Sequence, residues 1–258
     1  MSALALVALS LLATESGRVP ATALKRISIS TTDADLRVST ASIADIEWSG
    51  GDDVDFAVEG TELRIHVRQG DTLSVQLPAG RDLAVSTQSG DVALLGRFGD
   101  IYCGVTAGDV AIRGRVRGVE VETLNGDLSI DGSADTVRLT SVSGGIKVRG
   151  SLGELRARTT SGDLELKGEL PQHVQFQTVS GDLSVRGRVK KGGFWQLRSV
   201  SGDIALGIDG GAHVSLHTRT GDVTVKGCEV EGHHVEHDIN GGGMEIEAFT
   251  FSGDLKID

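Results

Sequence analysis

Glycine recurs in this chain at a nearly fixed step, and that step leaves few folds open. Turn glycines fall at Gly90, Gly108, Gly126, Gly144, Gly162, Gly181, Gly202, Gly221 and Gly241, with spacings of 18, 18, 18, 18, 19, 21, 19 and 20 residues. Aspartate follows the glycine at positions 91, 109, 127, 163, 182, 203 and 222, with Gly145 and Gly242 as the exceptions. A second glycine column lies five residues beyond the Asp position, at Gly96, Gly114, Gly132, Gly150, Gly168, Gly187 and Gly227. Two turn signals per period predict two strands per period.

Between the two glycines the chain reads apolar, polar, apolar, as in "DVAIRG", "DLSIDG" and "DLELKG". Side chains in a strand alternate faces, so Val110 and Ile112, Leu128 and Ile130, Ile146 and Val148, and Leu164 and Leu166 point one way. The second strand repeats the pattern with Val119 and Val121, Val137 and Leu139, Leu155 and Ala157, Val174 and Phe176, Trp195 and Leu197, and Val214 and Leu216. Two residues past the second glycine, Phe98, Val116, Ala134, Leu152, Leu170 and Val189 read as corner residues turned inward. A two-strand unit cannot shield its apolar face alone, whereas stacking such units in parallel register gives each inward side chain a like neighbour about 4.8 Å above and below. The expected fold is all-β, a parallel β-solenoid with two main strands per coil of roughly 18–21 residues. An antiparallel sandwich would tolerate the turns but does not require matching residues at matching phase. A triangular hexapeptide helix would need a third similar strand per period, and the third segment here is short and irregular.

Turn chemistry alone accounts for the motif. Glycine supplies positive φ where the coil reverses, and Asp, Ser, Thr and Asn bond locally to exposed backbone groups. Three residues before the glycine, Thr123, Ser141, Thr159, Thr178, Ser199 and Thr218 are expected to form a hydroxyl ladder.

Three regions are expected. Residues 1–24 form an apolar segment that serves either as a signal peptide or as a cap. Residues 25–89 form irregular coils, with strand-like pieces at 27–29, 36–38, 46–48, 54–58, 63–67, 73–77 and 83–85. Residues 90–258 form the regular repeats, continuous with those coils as one domain. The run from Ala3 to Ala13 is too short to span a bilayer but long enough for a signal-peptide core, with Ala21-Thr22-Ala23 as a cleavage site. No transmembrane helix is expected. "MEIEAFTFSGDLKID" shortens the step to 12 and ends on a strand, predicting an edge that Lys256 and Asp258 help to blunt.

Composition bounds the partners. Thirty-six acidic residues against 25 basic give a net charge of −11, a far field that repels nucleic acid and anionic lipid. Aromatics at 3% leave little for a stacking platform.

The run from Leu73 to Gly96, "LSVQLPAGRDLAVSTQSGDVALLG", followed by the recurring T-x-S-G-D turn, resembles the bacterial β-strand-repeat family labelled "putative adhesin", a domain of unknown function. The resemblance covers roughly residues 25–258. It implies a β-solenoid in a bacterial, often envelope-associated or exported protein, and offers no catalytic motif to transfer.

No catalytic, cofactor-binding or metal-binding residue is assigned from the sequence. The Asp column, Asp91 to Asp222, could hold calcium between turns, but no calcium repeat is present and a capped turn is the simpler reading. Any solenoid column of carboxylates sets pairs at about 5 Å, so a glycosidase-like separation signifies only stacking here. His213 with His233 and His217 with His237, each 20 apart, are expected as two pairs on neighbouring coils. Cys103 and Cys228 are placed about seven coils apart, about 33 Å, too far for a disulfide. Arg113, Arg149, Lys167, Arg186 and Lys226, alternating with acidic residues outside, suit either solubility or a partner-binding strip.

These features favour a non-catalytic structural or binding module at the bacterial cell envelope, contacting a protein or surface polymer. The alternatives are a cytoplasmic scaffold that self-associates end to end and a carbohydrate-active β-helix enzyme.

Overall fold

The computed structural model describes residues 16–51, 53–68, 71–225, 228–230 and 233–258, with 228–230 described by backbone alone. The chain divides into two compact units, residues 1–123 and 124–258.

Unit 1 contains β1 (Ser16–Pro20), β2 (Arg26–Asp33), β3 (Asp35–Ala41), β4 (Asp45–Ser49), β5 (Val54–Glu59), β6 (Glu62–Val67), β7 (Thr72–Pro78), β8 (Asp82–Ser89), β9 (Val92–Arg97), β10 (Asp100–Ala107) and β11 (Val110–Asn125), the last reaching the unit's border. All seven strand-like pieces of the N-terminal region are strands, but they do not stack in chain order. One parallel ladder runs Leu63, Ile27, Leu83, Ile101 through β6, β2, β8 and β10. The other runs Leu73, Leu36, Val92, Val110 through β7, β3, β9 and β11. The first coil, β2 with β3, is therefore inserted between two later ones. Antiparallel strands flank this end: β4 on β7, β1 on β4, and β5 on β6.

Unit 2 contains β12 (Leu128–Ser143), β13 (Ile146–Ser161), β14 (Leu164–Glu169), β15 (His173–Ser180), β16 (Leu183–Arg188), β17 (Phe194–Ser201), β18 (Ile204–Asp209), β19 (Ala212–Thr220), β20 (Val223–Val225), β21 (Cys228–Val230), β22 (His234–Ile239), β23 (Met244–Ser252) and β24 (Leu255–Ile257). Its ladders are parallel and in register, as the side-chain columns predict. One passes through Leu128, Ile146, Leu164, Leu183, Ile204, Leu255 and Val223. The other passes through Val137, Leu155, Val174, Trp195, Ile246 and Val214.

The last coil departs from chain order as the first does. Strand β23 lies between β17 and β19, and β24 between β18 and β20. This corrects the expected open C-terminal edge, because the final strand is hydrogen-bonded on both sides. The outer strands at this end are β22 and β21, antiparallel to β19 and β20. The apparent 12-residue step has the same origin: Gly253, not Gly241, occupies the column, and Gly241 sits in the β22 to β23 turn with nothing within 4 Å of where a Cβ would be.

Inside each unit the alternation delivers the core. Leu155, Leu183, Val185 and Leu197 are fully buried, and the corner residues Phe98, Val116, Ala134, Leu152, Leu170 and Val189 are buried too. Each buried aliphatic contributes about 1.5–3 kcal/mol relative to exposure, so columns rather than single contacts hold the coils. Trp195, the largest buried side chain, keeps its indole N–H satisfied by donating to the Pro171 carbonyl at 2.9 Å.

Of the predicted apolar N-terminal segment, 1–15 lie outside the described residues, while 16–24 belong to the fold. Ala21 and Leu24 are buried, and Gly17 lies so close to Trp48 that a Cβ there would meet the indole at 1.9 Å. Cleavage after Ala23 would remove a paired strand. Among the described residues no helix is long and apolar enough to cross a membrane.

Candidate functional site

The turn aspartates fasten one coil to the next. In unit 1 the Asp35 carboxylate accepts the Asp91 N–H at 2.9 Å, and Asp91 accepts the Asp109 N–H at 2.8 Å. In unit 2 Asp127 accepts from Gly145, Asp163 from Asp182, Asp182 from Asp203, Asp203 from Asp254 and Asp254 from Asp222, all at 2.8–2.9 Å. These charge-assisted bonds offset the repulsion of about 0.9 kcal/mol between adjacent carboxylates. Two rungs, Asp35 and Asp254, escape a reading in chain order, because the strands that carry them are inserted out of sequence.

The hydroxyl column works similarly. Thr178 donates to the Gly162 carbonyl at 3.4 Å, Ser199 to Gly181 at 3.3 Å, and Thr250 and Thr218 to Gly202 and Gly253 at 3.0 Å. These four hydroxyls bond to turn carbonyls of the neighbouring coil instead of to each other, whereas the buried hydroxyls of Thr123 and Ser141 make no hydrogen bond among the described residues.

The histidines are not arranged as expected, because β22 runs antiparallel to β19. His213 faces Asp238 and His217 faces His234. His213 Nδ1 lies 2.6 Å from Asp238 Oδ1, and this hydrogen bond, more than the surrounding acidic charge, raises the His213 pKa above the usual value. The His217 ring packs against His234 at 5.6 Å and against Phe249 at 5.4 Å. Among the described residues no cluster of three or more His, Cys, Asp or Glu side chains could hold a metal. Cys103 is buried with its thiol pushed up to about 12, so it is chemically quiet. The Cys228 side chain lies outside the described residues.

The charged features that stand out are rows of cations on the outer faces of unit 2. On the first-strand face the register sets Arg149, Lys167 and Arg186 side by side, with Asp131 beside Arg149. On the second-strand face one row reads Arg138, Arg156, Gln175, Gln196 and Glu247, and the next Thr140, Arg158, Gln177, Arg198 and Phe249. Arg158 donates through Nε and Nη2 to Gln177 Oε1 at 3.0 and 2.7 Å, and Arg156 pairs with Glu154 at 2.9 Å. A shallow hollow of about 240 Å³ lies between Arg138, Arg156, Arg158, Gln175 and Gln177. Arginine and glutamine offer planar, multiple N–H donors, which suits carboxylate, sulfate or phosphate recognition. The alternation that places core residues inside also predicts these outer rows, but a net charge of −11 hides them.

A family model described as "Toastrack DUF4097" matches residues 57–207. None of the curated proteins matches the chain. Among solved structures, a Parabacteroides distasonis protein named "putative adhesin" is similar with a TM-score of 0.58 at 11% identity, over 94% of this chain and 96% of that one. A Parabacteroides merdae protein of the same name gives 0.56 at 9% identity, over 94% and 95%. A Parabacteroides distasonis protein named "putative lipid binding protein" gives 0.54 at 15% identity, over 95% and 96%. At these identities the likeness establishes the fold.

Proposed function

Since this chain belongs to the Toastrack DUF4097 family, we propose that it is a non-catalytic binding module of the bacterial cell envelope whose second-strand face in unit 2 takes an anionic macromolecule. The observation that carries this reading is the in-register placement of Arg138, Arg156, Arg158 and Arg198 with Gln175, Gln177 and Gln196 on one outer face. The net charge sets the far field, whereas contact is decided by this face, within a Debye length of about 8–10 Å. The similar structures are named for adhesion or lipid binding, which agrees with a binding role. An enzyme is disfavoured because the turn carboxylates are engaged by backbone N–H groups. End-to-end scaffolding is disfavoured because β22 presents His234, Glu236, His237 and Asp238 at its end of unit 2.

Two measurements test the two halves of the proposal. Fractionation with mass spectrometry of the mature N-terminus is expected to find the chain in the envelope or medium, beginning at or before Ser16 so that β1 is kept. An intact Met1 in the cytosol would remove the envelope assignment. Binding of the purified chain to immobilised polygalacturonate, a polycarboxylate, is expected to weaken at least tenfold in R156E/R158E and with added salt. Equal binding by the variant, or preference for cationic chitosan, would remove the face.

A further inference from the structure

A second feature of unit 2 borders the arginine face, shares Arg158 and Arg198 with it, and calls for a different kind of partner. Two residues before each turn glycine stand Leu124, Val142, Thr160, Val179, Val200 and Phe251. Leu124, Val179 and Val200 are each 50% exposed, Val142 46% and Phe251 44%. They form one line because their glycines stack: a Cβ on Gly144, Gly162, Gly181, Gly202 or Gly253 would meet the carbonyl of the preceding column glycine at 2.1–2.3 Å. At about 4.8 Å per coil the line from Leu124 to Phe251 is about 24 Å long. Arg219 closes its far end, its guanidinium 5.0 Å from the centre of the Phe251 ring. The solenoid does not require this ridge, for the equivalent positions of unit 1 are Gln88 and Thr106. Strand propensity explains an outward Val, Thr or Phe singly but not Leu124, nor a half-exposed apolar line maintained over the coils of unit 2.

The ridge separates opposite charges. Two residues before it along the strands the row reads Glu122, Thr140, Arg158, Gln177, Arg198 and Phe249, its cations the exposed Arg158 and Arg198; three residues beyond it, past the turn, stand Asp127, Gly145 and the exposed carboxylates Asp163, Asp182, Asp203 and Asp254. An anionic bilayer that reached the ridge would meet that acidic row. The surface that suits a ridge with cations on one side and carboxylates on the other is a copy of itself.

We propose that two copies of this chain pair ridge to ridge about a two-fold axis parallel to the ridge. That rotation keeps the coils of the two copies level and sets Arg158 opposite the partner's Asp163, and Arg198 opposite the partner's Asp203. The other two-fold, perpendicular to the ridge, would set arginine row against arginine row. Five residues of strand and turn separate the two charged rows, giving a contact at most about 17 Å wide and about 24 Å long. That is at most about 400 Å² per copy, at the small end of weak, transient interfaces. The pairing is therefore one that forms at high local concentration, such as a crowded surface.

Sedimentation equilibrium of the full chain from 5 to 500 µM tests the proposal. A monomer–dimer equilibrium is expected, with dissociation rising at least tenfold in V179E/V200E and several-fold between 50 and 500 mM NaCl. Both substituted side chains are half-exposed, so the melting temperature serves as a folding control. Val200→Cys is expected to form a disulfide between like residues, which only the parallel two-fold brings together at this end of the ridge. A monomer at 500 µM, a dimer untouched by V179E/V200E, or failure of the Val200→Cys cross-link would each overturn the proposal. So would ridge-dependent co-sedimentation of a monomeric chain with phosphatidylglycerol vesicles, which would give the ridge to lipid. Because Arg158 and Arg198 belong to both surfaces, V179E/V200E, which leaves every arginine in place, is also run in the polygalacturonate assay; unchanged binding there lets the two readings fail separately.

Discussion

Gly181→Ala is expected to destabilise unit 2 by more than about 4 kcal/mol, a drop of about 10 °C or more in melting temperature. Two effects combine. Gly181 has φ of +146°, which L residues rarely adopt, and a Cβ there would lie 2.2 Å from the Gly162 carbonyl oxygen. Backbone cannot yield as the end of a side chain does, because the Gly162 carbonyl also accepts the Thr178 hydroxyl and its peptide is fixed in the ladder. Separating the coils to admit a methyl group would break the Asp163 to Asp182 rung and loosen the close packing of Leu164 on Leu183. Gly192→Ala is the control. It too has positive φ, +70°, but nothing lies within 4 Å of its Cβ position, so it should cost only about 1 kcal/mol. Thermal unfolding of both variants checks the contrast, and equal losses would mean that conformation, not stacking, selects glycine in the column.

Removing the last 15 residues, Met244 to Asp258, is expected to abolish cooperative folding of unit 2. In a solenoid stacked in chain order, loss of the last coil trims one end and leaves the rest paired. Here it removes an internal layer. Met244, Ile246, Ala248, Leu255 and Ile257 are all buried, and the strands that carry them bond to β17 and β18 on one side and to β19 and β20 on the other. The truncated chain would have to close a gap of about 10 Å or leave two sheet edges open. Circular dichroism and size-exclusion chromatography should show aggregation or a non-cooperative transition. A soluble truncation that melts only slightly earlier would contradict the inserted coil.

How far the fold can be read from sequence follows from the same physics. Alternation and the glycine step report which side chains face inward and where each coil turns, and from these the parallel register of β12 to β18 follows residue by residue. Neither reports the order in which coils stack or the direction of a strand at the end of a ladder. A short apolar–polar–apolar piece such as "IEW" at 46–48 looks the same in an antiparallel β4 as in a parallel coil, because alternation has no sense of direction. That is why the first and last coils, the Gly253 column position and the facing of His213 by Asp238 emerge only from the pairing. The candidate binding face was hidden differently. Its arginines occupy ordinary outward positions, spaced a coil apart in sequence, and become a cluster only once β12, β13, β15 and β17 are laid side by side.

The most direct test of the account is a pair of double-cysteine variants in a Cys228→Ser background, oxidised under native conditions. Arg198 on β17 is in register with Phe249 on β23, which is in register with His217 on β19. Neighbouring strands set α-carbons about 4.8 Å apart, within disulfide reach, whereas strands once removed set them about 10 Å apart, beyond it. R198C/F249C is expected to cross-link readily and R198C/H217C to remain reduced. The reverse result, a bond between 198 and 217 and none between 198 and 249, would show coils stacked in simple chain order and would contradict the inserted C-terminal coil.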